Sequence, residues 1–318
     1  MKINFIIMKG VVIKSTGTLC KVLSEDNLIF DCKIKGKTRL LKIDFTNPVV
    51  VGDCVDFQFD KVNNIGLIEK IHTRKNYIIR KSVNLAHRSQ LIASNIDLAL
   101  LIITIDNPIT SLNFIDRFLV QAAAYGIDSK LVFNKIDLIN ESTHNKLKLY
   151  QKIYNDIGYE TISTSVTLKK NIAKIKNLLI NKVTVLTGHS GVGKSSLVNL
   201  IEPNLDLKTN TISNYHKQGV HTTTYAEMHP LSFGGFIIDT PGIKGLGLID
   251  IDMNVLSKYF PEMLFHSQYC KFKNCKHIKE PSCGVLKALE KKEIVQSRYD
   301  SYLSMLDKNT NYRKNNYI

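Results

Sequence analysis

The chain has 318 residues, 44% of them hydrophobic, and its 43 Lys+Arg against 28 Asp+Glu give a net charge of +15. That length holds two or three domains with real cores, and the charge favours polyanionic partners over neutral or cationic ones. No run of about 18 apolar residues is present to cross a membrane, Ile3 to Met8 is too short for a signal-peptide core, and six cysteines do not make a secreted disulfide scaffold.

A cytoplasmic protein is therefore expected. The basic excess is uneven: residues 1–90 carry 16 basic against 8 acidic side chains, 91–249 carry 15 against 12, and 250–318 carry 12 against 8. The electrostatic footprint lies mainly at the two ends of the chain. A lysine-rich proteome would give the same total with no binding meaning, so charge alone decides nothing.

Residues 1–80 read as short alternating or apolar segments, such as Gly10-Val11-Val12-Ile13, Leu28 to Ile34 and Cys54 to Phe59, broken by turn residues. Turns are expected at Ser24 to Asn27, Gly36, Pro48, Gly52-Asp53 and Asn63 to Gly66. Several strands at this even spacing predict a small closed β-barrel. Lys33, Lys35, Lys37, Arg39 and Lys42 cluster around one turn. A small basic barrel suits an oligonucleotide-binding fold, and an SH3-like barrel with a solvated basic face fits the same pattern. Residues 74–90 show no clear apolar period and read as a basic connection.

From Asn95 the pattern changes. Ile96 to Ile105 is a nearly continuous apolar run, as expected of a central parallel strand. An amphipathic helix follows over 111–125, then a strand at Leu131-Val132-Phe133, a helix over 142–157, a strand to Ile162 and a helix over 169–180. This alternation predicts a doubly wound α/β domain. It continues through a strand at 183–186, a loop, a helix from Ser196 and a strand at Phe236-Ile237-Ile238. Beyond Leu246 the chain turns helical, basic and cysteine-bearing.

The loop Gly188-His189-Ser190-Gly191-Val192-Gly193-Lys194-Ser195 fits the phosphate-loop pattern, between the strand and the helix that such a loop needs. Its backbone N–H groups and the N-terminus of the helix, from Ser196 on, suit phosphate charge. Lys194 should reach the outer phosphates and the Ser195 hydroxyl should ligate magnesium. Asn134-Lys135-Ile136-Asp137 at a strand end then selects the base. A carboxylate at Asp137 can accept from both the N1–H and the exocyclic amino group of guanine, a pair that adenine does not offer. Asn134 would support the loop, Lys135 would lie against the base, and Thr164-Ser165-Val166 could add backbone contacts. Asp239-Thr240-Pro241-Gly242 would place Asp239 on magnesium through water and the Gly242 N–H on the γ-phosphate. The loop Gly219 to Thr224 lies where a switch segment should sit. Thr223 is the expected ligand of magnesium and γ-phosphate there, with Thr222 or Thr224 able to take the role.

The order of these motifs matters. In ordinary small GTPases the base-reading motif comes last, whereas here Asn134–Asp137 precedes both phosphate motifs. The same sheet can be threaded so only if the domain is circularly permuted, which surface termini tolerate. Ile243 stands where many GTPases carry a water-orienting glutamine and cannot polarise water. Intrinsic hydrolysis should be slow, and His221 in the switch loop is the candidate catalytic group within the chain. Its bland counterpart is a loop histidine with no such role.

Cys270, Cys275, His277 and Cys283 place three thiols and one imidazole within fourteen positions, which suits a closed tetrahedral zinc site. Lys271, Phe272, Lys273, Lys276 and Lys279 around them suit a face turned to nucleic acid. Cys20, Cys32 and Cys54 read as ordinary buried or partly buried thiols.

Together, in this order, these motifs closely resemble the ribosome small-subunit-dependent GTPase A (RsgA) family, over essentially the whole chain, including Pro48-Val49-Val50-Val51-Gly52-Asp53 in the barrel. The resemblance implies an oligonucleotide-binding (OB) barrel over 1–80, a circularly permuted GTPase domain over 81–247 and a C-terminal helical zinc-binding domain over 248–318. It further implies GTP hydrolysis with Mg2+, stimulated by the small ribosomal subunit late in that subunit's maturation, with rRNA contacts, no membrane partner and a monomeric chain. The family's proposed catalytic histidine falls on His221. Val220 departs from the pattern, where an arginine is usual, and this removes one phosphate or RNA contact. An RNA-binding protein that uses GTP only as a binding switch remains the alternative, and a phosphate-loop ATPase or kinase is disfavoured by Asp137.

Overall fold

The computed structural model describes residues 7–17, 19–34, 47–81, 89–205, 226–239 and 251–307. The first five strands, β1 (Ile7–Ser15), β2 (Leu19–Ser24), β3 (Ile29–Ile34), β4 (Cys54–Asp60) and β5 (Ile65–Ile71), close on themselves in the order β1-β2-β3-β5-β4, with β4 returning to β1. Alternation drives the closure. Val12, Val22, Cys32, Val55, Phe57 and Ile68 all point inward and are at most 1% exposed. This is the barrel expected of an OB fold. Cys20 and Cys32 are buried inside it, whereas Cys54 is exposed, against expectation, because it sits on the outward parity of β4.

The described residues of the expected basic connection, 74–81 and 89–90, contribute to paired strands. Tyr77–Lys81 (β6) and Ser89–Ser94 (β7) pair antiparallel as a separate two-stranded sheet. Ile78, Ile79, Leu91 and Ala93 are buried, but these short apolar pairs are masked in the sequence by the basic residues around them. The joint beneath the barrel is polar and fully bonded. The buried Asp53 carboxylate accepts from Arg74 Nε at 2.6 Å, Arg74 Nη2 at 2.8 Å, Ser94 Oγ at 2.6 Å and the Val50 N–H at 2.9 Å. The turn needs Gly52, whose φ is +91° and whose added Cβ would fall 2.1 Å from the Ser94 carbonyl oxygen.

The α/β part continues as β8 (Leu98–Ile103), α1 (Leu112–Ala124), β9 (Asp128–Phe133), α2 (Glu141–Asp156), β10 (Thr161–Ser163), α3 (Ile172–Leu179), β11 (Val183–Thr187), α4 (Lys194–Ile201), β12 (Glu227–Pro230) and β13 (Phe236–Asp239). The strand order is β10-β9-β8-β11-β13-β12, parallel throughout except for β12. All six residues of β8 are buried, as a strand covered on both faces requires. Ser111 caps α1 by accepting from the Phe114 N–H, and an Asn140–Thr143 capping box starts α2. The strand β12 also pairs with β1 of the barrel, with Lys14 opposite Glu227 and their side chains 3.0 Å apart. Barrel and α/β sheet therefore form one continuous eleven-stranded sheet.

The C-terminal part comprises a 3-10 segment at Met253–Tyr259, α5 (Pro261–Ser267), α6 (Gly284–Glu290) and α7 (Gln296–Leu306). Its core of Leu256, Phe260, Met263, Val285 and Tyr302 also takes in Val120 from α1. One helix thus belongs to two packed units. No helix among the described residues is long and apolar enough to cross a membrane.

Candidate nucleotide site and metal centre

Four loops leave the carboxyl ends of four neighbouring parallel strands, the place where open α/β sheets bind ligands. Residues 104–111 follow β8, Asn134–Asp137 follow β9, Thr164–Val166 follow β10 and Gly188–Ser195 follow β11. The Asn134 side-chain amide donates to the Val192 carbonyl at 2.8 Å, tying the second loop to the fourth. Close approach makes this possible, since a Cβ on Gly193 (φ +94°) would lie 2.5 Å from Asn134 Nδ2. Asn134 is 3% exposed, and its Oδ1 has no partner among the described residues.

Asp137 is held by Ser165, whose hydroxyl donates to Asp137 Oδ1 at 2.5 Å. The sequence pattern suggests backbone contacts from Thr164-Ser165-Val166. In the fold, the Thr164 N–H donates to the Phe133 carbonyl at 2.7 Å and the Thr164 carbonyl accepts from the Ile136 N–H at 3.2 Å. The Ser165 side chain is the group that aims at Asp137. Lys135 adopts a left-handed backbone with φ 60° and donates from Nζ to the Asn107 carbonyl at 2.9 Å. A depression lined by Thr104, Asp106, Asn107, Asn134, Lys135 and Leu138 lies beside this motif.

In the loop after β11, Lys194 Nζ donates to the Gly188 and His189 carbonyls at 2.7 and 2.8 Å. The ammonium therefore sits over the loop itself, on the first turn of α4. Ser195 and Ser196 are half-buried on that turn. The His189 ring lies 4.0 Å from the Phe114 ring of α1, at an interplanar angle of 31°. Burial, with the Lys194 charge adding to it, holds His189 below the ordinary imidazole value, so the ring is neutral at pH 7.

The loop 104–111 is a part of this site that sequence patterns do not mark. The Thr104 N–H donates to Thr110 Oγ1 at 3.3 Å, the Thr110 N–H donates back to the Thr104 carbonyl at 3.1 Å, and the Thr104 hydroxyl donates to the Pro108 carbonyl. So braced, the loop presents Asn107 to Lys135 and places Pro108 Cδ 3.7 Å from where a Cβ on Gly191 would stand. His221, Thr223 and Gly242, with their neighbours Val220 and Ile243, lie outside the described residues. For Asp239 the backbone alone is described, at the end of β13.

The second centre is built by α5, α6 and the turns between them. The ligand atoms of Cys270, Cys275, His277 and Cys283 all lie within 4.8 Å of one another, so the four could hold a metal ion. Cys270 Sγ is 3.8 Å from Cys283 Sγ and 3.6 Å from His277 Nδ1, and the latter is 3.4 Å from Cys283 Sγ. A tetrahedron with metal–sulfur bonds of about 2.3 Å has sulfur–sulfur edges of about 3.8 Å. Backbone donors already face the sulfurs: Gly284 N–H to Cys270 at 3.2 Å and Leu286 N–H to Cys283 at 3.4 Å. Burial, the largest cause, pushes the metal-free Cys275 thiol up to about 12, a proton that a divalent cation would displace. Tyr299 and Tyr302 of α7 donate to the His277 and Lys276 carbonyls, both at 2.7 Å, and fix the turn from behind.

Known proteins share this outline. Residues 71–249 match the RsgA GTPase family and residues 9–68 match the RsgA N-terminal domain. The small ribosomal subunit biogenesis GTPase RsgA of Flavobacterium psychrophilum is 54% identical over 302 residues, covering 94% of this chain and 93% of its own. That of Christiangramia forsetii is 49% identical over 313 residues, covering 98% and 99%. Among solved structures, YjeQ from Thermotoga maritima superposes with a TM-score of 0.78 at 33% identity, covering 95% of this chain and 98% of its own. YloQ, described as a circularly permuted GTPase, gives 0.74 at 31%, covering 95% and 94%.

Proposed function

The chain belongs to the RsgA GTPase family, and from that premise we propose that it hydrolyses GTP to GDP and phosphate during late maturation of the small ribosomal subunit, stimulated by that subunit. The observation that carries the nucleotide half of this reading is the bond from Asn134 to Val192, which brings the base-reading and phosphate loops into one site. Asp137, oriented by Ser165, accepts from the guanine N1–H and amino group, with Thr164 to Val166 beneath the base and Lys135 along it. The loop Gly188, His189, Ser190, Gly191, Val192, Gly193 and the N–H groups of Lys194, Ser195 and Ser196 face the phosphates. Lys194 exchanges the Gly188 and His189 carbonyls for phosphate oxygens.

The donor set suits magnesium: the Ser195 hydroxyl and Thr223 would hold it, with Asp239 reaching it through water. The ion would neutralise charge between the outer phosphates. The Gly242 N–H would meet the γ-phosphate, and His221 would orient the attacking water. The Cys270, Cys275, His277 and Cys283 tetrahedron suits one structural zinc with no open position.

We assign 1–80 to the RNA-binding barrel, 81–247 to the permuted GTPase domain and 248–318 to the zinc domain. The basic excess at both ends of the chain supports rRNA as the partner surface, and a chain with this role would act in the cytoplasm, as a monomer. Turnover of GTP measured with and without purified small subunits tests the reading. Stimulation by the small subunit is expected; its absence, or equal stimulation by large subunits, would overturn it. His221→Ala should lose the stimulated turnover while keeping subunit binding, which separates an enzyme from a GTP-dependent binding switch.

A further inference from the structure

Helix α1 touches both the nucleotide loops and the C-terminal unit, through residues that face opposite ways. Phe114 and Asp116 are two positions apart, about 200° around the helix axis. Phe114 lies against His189 of the phosphate loop, with ring centroids 4.0 Å apart. Asp116, fully buried, accepts from Arg298 Nη1 of α7 at 2.6 Å and from the Tyr154 hydroxyl at 2.7 Å. Arg298 is itself 1% exposed, donates to both oxygens of Glu262 in α5 and lies 4.6 Å over the Phe260 ring. At the edge of the same interface Asn113 donates to Ser304 Oγ at 2.7 Å and Arg117 Nη2 to the Ser304 carbonyl at 3.3 Å. The loop that leads into α1 carries Asn107 and Pro108 against Lys135 and Gly191.

We propose that Phe114 and Asp116 are positioning residues for nucleotide binding, so that docking of the C-terminal unit through Arg298 sets the phosphate loop through the Phe114–His189 contact. The physical reason is that α1 cannot shift at one contact and stay still at the other. Its buried ion pair is intolerant of displacement, because a carboxylate left without its guanidinium is costly. Its ring contact is a packed one, and packed contacts have discrete arrangements rather than continuous ones. The C-terminal unit therefore holds the phosphate loop in a fixed position across α1. No motif marks Phe114, Asp116 or Arg298.

The test is the dissociation rate of a fluorescent GDP analogue from the full chain. Phe114→Leu and Asp116→Asn should each raise the rate about tenfold, and the double variant should exceed neither single by more than about twofold, the signature of one coupled path. Arg117→Ala, at the half-buried edge of the interface and outside the buried Asp116–Arg298 pair, should raise it about threefold. A purely structural role would lower the melting temperature and leave these rates at the wild-type value. That result, or rates that multiply in the double variant, would overturn the proposal; should Asp116→Asn not fold, Arg117→Ala against Phe114→Leu decides it on the same criterion. The inference rests on Gly188–Ser195 being a phosphate loop, and failure of that reading is distinguishable, since the wild-type chain would then bind no analogue.

Discussion

Asn134 Nδ2 and the carbonyl oxygen of Val192 stand 2.8 Å apart, though 58 residues separate them in the chain. That one bond ties the loop after β9 to the loop after β11, the two that we assign to the base and to the phosphates. Asn134→Ala leaves the Val192 carbonyl unpaired in a site that is 3% exposed at Asn134, and an orphaned buried polar group costs about 1–3 kcal/mol. GTP affinity measured by titration calorimetry should fall roughly tenfold to a hundredfold, with the melting temperature of the nucleotide-free chain lowered as well.

Asp137 tests base choice more sharply. Ser165 donates to its Oδ1, and on the proposed function a carboxylate here would accept from guanine and repel a base that offers a carbonyl at the same place. Asp137→Asn turns one acceptor into a donor. GTP binding should weaken at least about a hundredfold, while xanthosine triphosphate, with a carbonyl in place of the amino group, should gain. Competition between the two nucleotides on the variant reads the outcome, and unchanged preference for GTP would place the base elsewhere.

Glu202 supplies a pH-dependent tie. It ends α4, and its Oε2 accepts from the Ser232 N–H at 2.7 Å in the turn between β12 and β13. Hydrogen bonds from the Ser232 hydroxyl and N–H hold its carboxyl below the ordinary carboxylate value. A carboxyl depressed in the folded state contributes stability above its unfolded value, about 4.3, and loses that contribution as the pH falls through its lower folded value. Urea midpoints should therefore separate wild type from Glu202→Gln at pH 7, and the gap should close as the pH falls through the depressed folded value.

Asp53 anchors the barrel to the sheet of β6 and β7. Asp53→Ala would strand Arg74 and unbond Ser94 and the Val50 N–H in a buried joint, at a cost of about 3–5 kcal/mol. Chemical denaturation should show the loss, and Asp53→Asn should recover part of it by keeping an acceptor for Ser94.

Removal of the metal should loosen the C-terminal unit selectively. Elemental analysis is expected to find one zinc per chain, and Cys283→Ala, which takes away both a ligand and the cap of α6, should lower that content below half. Chelation or the variant should drop the melting temperature by roughly 5 °C. Amide exchange should rise first around the His277 and Lys276 carbonyls that Tyr299 and Tyr302 hold.

Much of this was written in the chain itself. Alternation in Val12, Val22, Val55 and Phe57 foretells a barrel because a strand's side chains have a period of two, and six buried residues in β8 foretell a central strand because a two-faced strand needs no polar side. The motifs around Asp137, Gly188–Ser195 and Cys270–Cys283 are legible for the same kind of reason: phosphate, guanine and a tetrahedral metal each demand particular atoms at short spacing, and short spacing survives in sequence. Their order, with Asn134 ahead of Gly188, is equally a property of the chain and carries the permutation. What the tertiary structure alone decided is every contact between elements far apart: Ser165 on Asp137, Thr104 to Pro108 beside Lys135, the short strands β6 and β7 hidden among basic residues, Lys14 against Glu227, and α1 between His189 and Arg298. These depend on packing across distances of tens to hundreds of residues. A side chain such as Phe114 or Asp116 looks in sequence like any other residue of an amphipathic helix until the faces that helix meets are in place.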